Sequence, residues 1–222
     1  MDSTLSVPLK MLKDGIPLPY MKAMPLLILI RHGQSIWNAA NLFTGWENVE
    51  LSEKGILEAK KAGNQLSEIN FDLVFTSDLI RAQKTAEIIL EENTKSENVN
   101  TIKDFRLNER HYGDLQGMNK DDARKEFGEE QVHIWRRSYD VPPPKGESLK
   151  MTAERTLPYF DEMIIPELKE GKNILIAAHG NSLRSIVMKL EEIDEESIVK
   201  LEIPTGVPRI YSFENDMFIL QK

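Results

Sequence analysis

The chain has 222 residues, of which 41% are hydrophobic and 29% charged, enough for one large folded domain and too apolar for global disorder. It carries no cysteine, which removes disulfides, thiolate catalysis and Cys-based zinc sites from consideration. A formal charge of −8 argues against a nucleic-acid surface, so any anionic ligand would need its Arg and Lys gathered locally.

Residues 1–23 contain Lys10, Lys13 and Lys22 but are broken by Asp2, Pro8, Asp14, Gly15, Pro17 and Pro19. They do not read as a convincing signal peptide, and no apolar run reaches the ~20 residues a bilayer requires. This stretch reads as a flexible extension, with an early start codon as the alternative, and the expected location is cytoplasmic with no membrane partner. Residues 24–222 read as a single domain.

Leu26-Leu27-Ile28-Leu29-Ile30 is an unbroken apolar run that meets Arg31-His32-Gly33. Such a run suits a strand buried on both faces of a parallel sheet, whose chemistry lies beyond its carboxyl end. Residues 36–51 look like loop. Ser52 is expected to cap a helix with Ile56, Ala59, Gly63 and Leu66 on one face. A second buried strand is expected over 71–77. Ser77 or Asp78 would cap a helix running to Leu90, and a third strand would cover 100–105. This alternation of strand and helix marks an α/β, doubly wound, mostly parallel sheet.

Residues 106–118 read as an ordered loop. Asn119 would cap a helix to Phe127, and a further helix would cover 129–138. Pro142-Pro143-Pro144-Lys145-Gly146 is a stop, read as a turn or lid boundary. One long helix is expected over 148–169, bent or ended early by Pro158 and Pro166. Ile174–Ala178 is another apolar strand that ends in His-Gly, at His179-Gly180. Helices to Leu190 and from Asp194 to Leu201 follow, then a hairpin around Asn215-Asp216.

Two of the four histidines thus end buried strands, and in one parallel sheet both would face one crevice. A single such histidine is more often structural; the matched pair with matched glycines points to a site. Arg31 and Arg81 are permanent cations suited to phosphate oxygens. Arg81 also fits an ordinary solvated helix face. Backbone donors at helix starts after Gly33 and Gly180 add to an anion pocket, where a neutral imidazole can attack phosphorus. Glu109 is a candidate proton donor for the leaving oxygen, among many other carboxylates. Lys120 and Arg136-Arg137 could grip a second anionic group, or simply favour a helix dipole. His32, His111, His133 and His179 lack HxH or HExxH spacing, so no metal is expected.

Leu-Ile-Arg31-His32-Gly33-Gln34-Ser35-x-Trp37-Asn38 resembles the signature of the histidine phosphatase superfamily, and more closely its cofactor-dependent phosphoglycerate mutase branch. The likeness continues through Asn41–Trp46, Thr76–Ala82, Leu107–Lys120, Gln131–Arg137, Ala177–Arg184 and Ile203–Pro208, covering about Pro25 to Phe213. It implies a three-layer α/β/α sandwich of the phosphoglycerate-mutase type. It also implies interconversion of 3-phosphoglycerate and 2-phosphoglycerate in glycolysis and gluconeogenesis, primed by 2,3-bisphosphoglycerate. By that resemblance His32 is the phosphorylated nucleophile, Glu109 the proton donor and acceptor, and His179 a stabiliser of the transition state. Arg31, Asn38, Arg81 and Asn181 would hold the phosphoryl group. Thr44, Gly45, Tyr112, Lys120, Arg136 and Arg137 would hold the rest of the substrate, and Ser35, Arg110, His111 and Gly180 are further substrate-binding residues. A homo-oligomer, expected to be a dimer, is also implied. The chain departs from the family in its first 24 residues and in a shorter segment between Pro144 and Glu147.

Overall fold

The computed structural model describes residues 24–96 and 98–221; the expected extension over 1–23 lies outside the described residues. Six strands form one sheet in the order β3-β2-β4-β1-β5-β6. They are β1 (Leu26–Arg31), β2 (Leu73–Thr76), β3 (Asn100–Lys103), β4 (Ile174–Ala178), β5 (Arg209–Glu214) and β6 (Met217–Leu220). The pairs β1–β4, β2–β4 and β2–β3 are parallel, while β1–β5 and β5–β6 are antiparallel. The sheet is therefore mostly parallel, with the expected closing hairpin as its antiparallel margin.

The central strands have no polar alternation because both their faces are covered. Leu27 and Leu29 of β1, with Ile174 and Ile176 of β4, pack under Tyr159, Phe160, Ile164, Leu168, Leu183 and Ile186. Ile28 and Ile30, with Leu175 and Ala177, pack on the opposite face against Ala62, Leu66, Ala86 and Ile89. Each such buried Leu or Ile contributes about 1.5–3 kcal/mol. The helices of that second layer are α2 (Glu53–Gln65) and α3 (Ile80–Glu92), reached after a single-turn α1 (Ile36–Ala39). α4 (Lys120–Phe127) and α5 (Glu129–Arg137) stand with Phe43 and Leu115 as a separate small cluster. α6 (Leu149–Tyr159), α7 (Ile165–Lys169), α8 (Gly180–Leu190) and α9 (Glu195–Ile198) complete the chain, with α6, α7 and α8 in the first layer.

Several boundaries differ from the sequence-based expectation. Residues 36–39 are helical within the supposed loop, because Ser35 and Asn38 cap each other reciprocally. The start of α3 is capped by neither Ser77 nor Asp78: its N-cap is Leu79. The Ser77 hydroxyl is instead bonded to His179 Nε2 at 2.7 Å. The ends of the second and third strands are shorter than expected. The long helix over 148–169 survives its prolines through a π-helical segment, Phe160–Ile164, that joins α6 to α7. Pro166 cannot donate to a carbonyl one turn earlier, and the widened segment absorbs that loss. The helix capped by Asp194 stops at Ile198, not Leu201. No helix among the described residues is long and apolar enough to cross a membrane.

Candidate active site

β1 and β4 are direct neighbours, in a register that pairs Arg31 with Ala178. The His32 amide continues the ladder by donating to the Ala178 carbonyl at 2.9 Å. His32 and His179 therefore leave the sheet side by side, with ring centroids 5.0 Å apart. Both are buried, and residue 33 has no room for a Cβ: it would meet the Gly55 carbonyl oxygen at 2.2 Å. Gly55 is equally hemmed in, its own Cβ meeting the Gln34 oxygen at 2.1 Å. Backbone-to-backbone contact with α2 thus sets the loop that carries His32, and the Gly33 amide is tied to Thr85 Oγ1 at 3.0 Å.

The His32 ring has a defined polarity. Nδ1 lies 2.7 Å from the Gly33 carbonyl, which can only accept, so the ring proton sits on Nδ1 and the lone pair on Nε2. Arg81 Nε donates to that Nε2 at 3.3 Å. Burial, and then the Arg81 and Arg31 guanidiniums, push His32 well below the ordinary histidine range. It is a neutral imidazole with its free electron pair turned toward cations. His179 is pushed down by burial first and then by the same arginines and His32. Its Nδ1 is buried without a partner among the described residues.

Arg81 is fully buried, and its two remaining nitrogens donate to the carbonyls of Gly45 at 2.7 Å and Glu47 at 2.9 Å. Burial lowers it to about 10, still charged at neutral pH. Gly45 adopts φ +54°, and a Cβ there would strike Gln116 Oε1 at 2.2 Å. The Thr44-Gly45 turn is thereby fitted against both its supports.

Glu109 faces the histidines from the loop after β3. Its Oε1 accepts from the Arg110 amide at 2.8 Å, the Asn181 amide at 3.0 Å and Asn181 Nδ2 at 2.9 Å. Burial pushes the carboxyl up, but Arg31, these donors and Arg81 outweigh it and hold it below the usual value. It is an ionised base with Oε1 saturated, so proton exchange falls to Oε2. Its backbone is fixed by Arg155 Nη2 at 2.9 Å and Trp46 Nε1 at 2.5 Å, both donating to the Glu109 carbonyl. Arg155 is itself clamped on Glu147 at 2.8 and 2.9 Å.

A cavity of about 150 Å³ opens above His32. Of the residues singled out in the sequence, Arg31, Asn38, Thr44, Gly45, Arg81, Glu109, Arg110, Tyr112, Lys120, Arg136, Arg137, Gly180 and Asn181 line it. Seven cationic side chains meet two carboxylates there, inside a chain of net charge −8. Burial lowers Lys120, Arg136 and Arg184. The Nε atoms of Arg31 and Arg110 are buried and unpartnered among the described residues. The arrangement suits a small ligand bearing more than one anionic group.

Three expected residues stand behind this wall. Ser35 is buried and caps α1, its hydroxyl accepting from the Asn38 amide at 3.0 Å. His111 joins the loop to the turn after the prolines: its amide donates to Glu147 Oε2 at 2.9 Å and its carbonyl accepts from the Glu147 amide at 2.7 Å. His179 sits beneath His32. Four lining residues, Leu42, Phe43, Arg184 and Glu202, were not expected. Arg184 stands three residues after Asn181 on α8 and donates to its Oδ1 at 3.1 Å, so helical spacing could have revealed it. Glu202 lies in irregular chain and carries no comparable signal. Among the described residues no group of three or more His, Asp or Glu is disposed to hold a metal.

A model of the histidine phosphatase superfamily, branch 1, matches residues 27–222. Over 193 residues the chain is 58% identical to a phosphoglycerate mutase of Schizosaccharomyces pombe, covering 86% of this chain and 91% of that one. Over 225 residues it is 52% identical to a 2,3-bisphosphoglycerate-dependent phosphoglycerate mutase of Protochlamydia amoebophila, covering 90% and 100% respectively. Among solved structures, a mycobacterial glucosyl-3-phosphoglycerate phosphatase in complex with VO3 matches with a TM-score of 0.78 at 25% identity, over 89% of this chain and 98% of that chain.

Proposed function

The chain belongs to the histidine phosphatase superfamily, and from that premise we propose that the cavity above His32 is the active site of a phosphoglycerate mutase, with residues 24–222 as its one catalytic domain. The reaction is the interconversion of 3-phosphoglycerate and 2-phosphoglycerate, in glycolysis and gluconeogenesis, through a phosphohistidine primed by 2,3-bisphosphoglycerate. The observation that carries the site assignment is His32 itself: a buried neutral ring, proton fixed on Nδ1, Nε2 turned toward Arg81.

2,3-Bisphosphoglycerate supplies the phosphoryl group that charges His32. The residues present fit it, since seven cationic side chains line the cavity and two buried guanidinium Nε atoms have no partner among the described residues. Arg31, Arg81, Asn38, Gly180 and Asn181 hold the phosphoryl group at His32. Arg110, Tyr112, Lys120, Arg136 and Arg137 hold the remainder, with Thr44 and Gly45 shaping the wall between. Glu109 begins ionised. It takes the substrate hydroxyl proton as that oxygen attacks phosphorus and the N–P bond to His32 breaks. It returns the same proton to the departing oxygen when His32 Nε2 is phosphorylated again. Developing charge on the transferring group is met by the Arg31 and Arg81 guanidiniums and by His179. The outer cations and Tyr112 keep the bound bisphosphate from water while it reorients. Ser35 and His111 act by positioning Asn38 and the Glu147 turn. The scheme uses no metal. We also propose a homodimer with no nucleic-acid or membrane partner, and a cytoplasmic location, in keeping with the acidic surface and the glycolytic reaction.

Incubation with labelled 2,3-bisphosphoglycerate tests the assignment. The protein is expected to acquire an acid-labile phosphoryl group and to discharge it to 3-phosphoglycerate, whereas a phosphatase would release inorganic phosphate. His32→Ala is expected to abolish labelling. Stoichiometric labelling that persists in that variant would sink the assignment.

A further inference from the structure

Between α9 and β5 the chain runs irregularly from Val199 to Ile203, and alternate carbonyls along it are bound to arginines of the cavity. The Val199 carbonyl accepts from Arg137 Nη1 at 3.0 Å, that of Leu201 from Arg184 Nε at 2.7 Å, and that of Ile203 from Arg31 Nη1 at 3.1 Å. Glu202 lies within this strap. Its Oε1 is 2.5 Å from Arg137 Nη2 and its Oε2 is 3.7 Å from Arg184 Nη2. The neutral carbonyls already orient the three guanidiniums. What the carboxylate adds is a negative charge in a pocket otherwise arranged for anions.

We propose that Glu202 is a resident counter-anion and a specificity-determining residue, one that occupies Arg137 and Arg184 in the free enzyme and discriminates against the most highly charged ligands. Only the identity of the physiological ligands rests on the phosphoglycerate reading; the electrostatic competition applies to any phosphate-bearing anion. The Glu202 side chain is 62% exposed, so it can turn to water when an anion arrives without disturbing packed groups. Burial pushes its carboxyl up, yet Arg137, Arg184 and Arg31 hold it below the usual value, and it is charged at neutral pH. Repulsion between this carboxylate and a ligand grows with the ligand's charge. A bisphosphorylated ligand is thereby penalised more than a monophosphorylated one, which keeps the more tightly gripped species exchangeable.

The test is calorimetric binding of inorganic phosphate and of inorganic pyrophosphate to the wild type, Glu202→Gln and Glu202→Asp, at low and at high KCl. Glu202→Gln is expected to tighten both ligands, pyrophosphate by about three- to tenfold and phosphate by less. The gain should shrink as salt screens it, and Glu202→Asp, which keeps the charge, should stay near the wild type. A Glu202 that merely organised the arginines would give the opposite sign, so unchanged or weaker pyrophosphate binding in Glu202→Gln overturns the proposal. These ligands report on the pocket's charge alone. Failure of the phosphohistidine assay would remove the mutase assignment and leave this result standing, and the reverse also holds.

Discussion

Two ionisable residues meet over the cavity in protonation states opposite to what simple burial would give one of them. Burial alone favours neutral forms, and His32 obeys it, helped by the adjacent guanidiniums. Glu109 is just as enclosed but is held ionised, because Arg31, the Arg110 amide and Asn181 reward the charge. The same arginines thus set a neutral nucleophile and a charged base within one site, which is what phosphoryl transfer to and from a hydroxyl needs. Glu109→Gln separates the roles, since the amide oxygen can still accept from Arg110 and Asn181 while proton exchange is lost. We expect kcat to fall by about 10²–10⁴-fold. Affinity for 3-phosphoglycerate should be retained or improved, because a negative charge has left a cationic pocket. Steady-state kinetics with a direct binding measurement checks this; near-normal turnover in Glu109→Gln would assign the proton to another group.

At the scale of elements, the catalytic histidine is held from outside its own strand. The β1 end and the start of α2 interlock through Gly33 and Gly55, each occupying space where the other leaves no Cβ. Gly55 lies inside α2, where replacing Gly by Ala ordinarily stabilises a helix by about 1 kcal/mol. Here the added methyl would meet backbone at Gln34, which cannot swing aside. Gly55→Ala is therefore expected to destabilise by about 1–3 kcal/mol. By displacing the loop that carries His32, it should also cut kcat by up to about 10²-fold. Urea unfolding and mutase kinetics decide it: a more stable, fully active Gly55→Ala protein would show that the loop gives way freely. This contact was invisible in the sequence, where Gly55 looked like one more residue of an amphipathic helix. The strand ends were visible, because unbroken runs such as Leu26–Ile30 and Ile174–Ala178 can belong only to segments covered on both faces. Resemblance supplied Thr44, Gly45 and Tyr112. Glu202 escaped both routes, since the strap from Val199 to Ile203 has neither periodicity nor a cap to mark where its side chains turn.

Across the whole molecule, charge is sorted: net −8 overall, cationic in one cavity. The sorting leaves two histidines buried, neutral and beside arginines, and folding has to accommodate them. Both have folded-state values depressed well below 6.5. The unfolded chain therefore binds more protons than the native one once the pH drops toward 6.5, and stability rises with pH there and falls as the pH is lowered. Between pH 6.5 and 5.5 each histidine should remove on the order of 1 kcal/mol. The carboxylates held low, Glu109 and Glu147 among them, add their own loss only in more acid solution, near and below the ordinary carboxylate range. Urea unfolding of the dephosphorylated protein at low anion concentration, at pH 6.5 and 5.5, measures the effect. His179→Gln should shift the absolute stability and, more tellingly, halve the difference between the two pH values. A stability that does not change over this interval would mean the two rings are protonated in the fold and could not serve as neutral groups at the phosphoryl site, whereas a difference that survives intact in His179→Gln would remove His179 as a buried neutral ring.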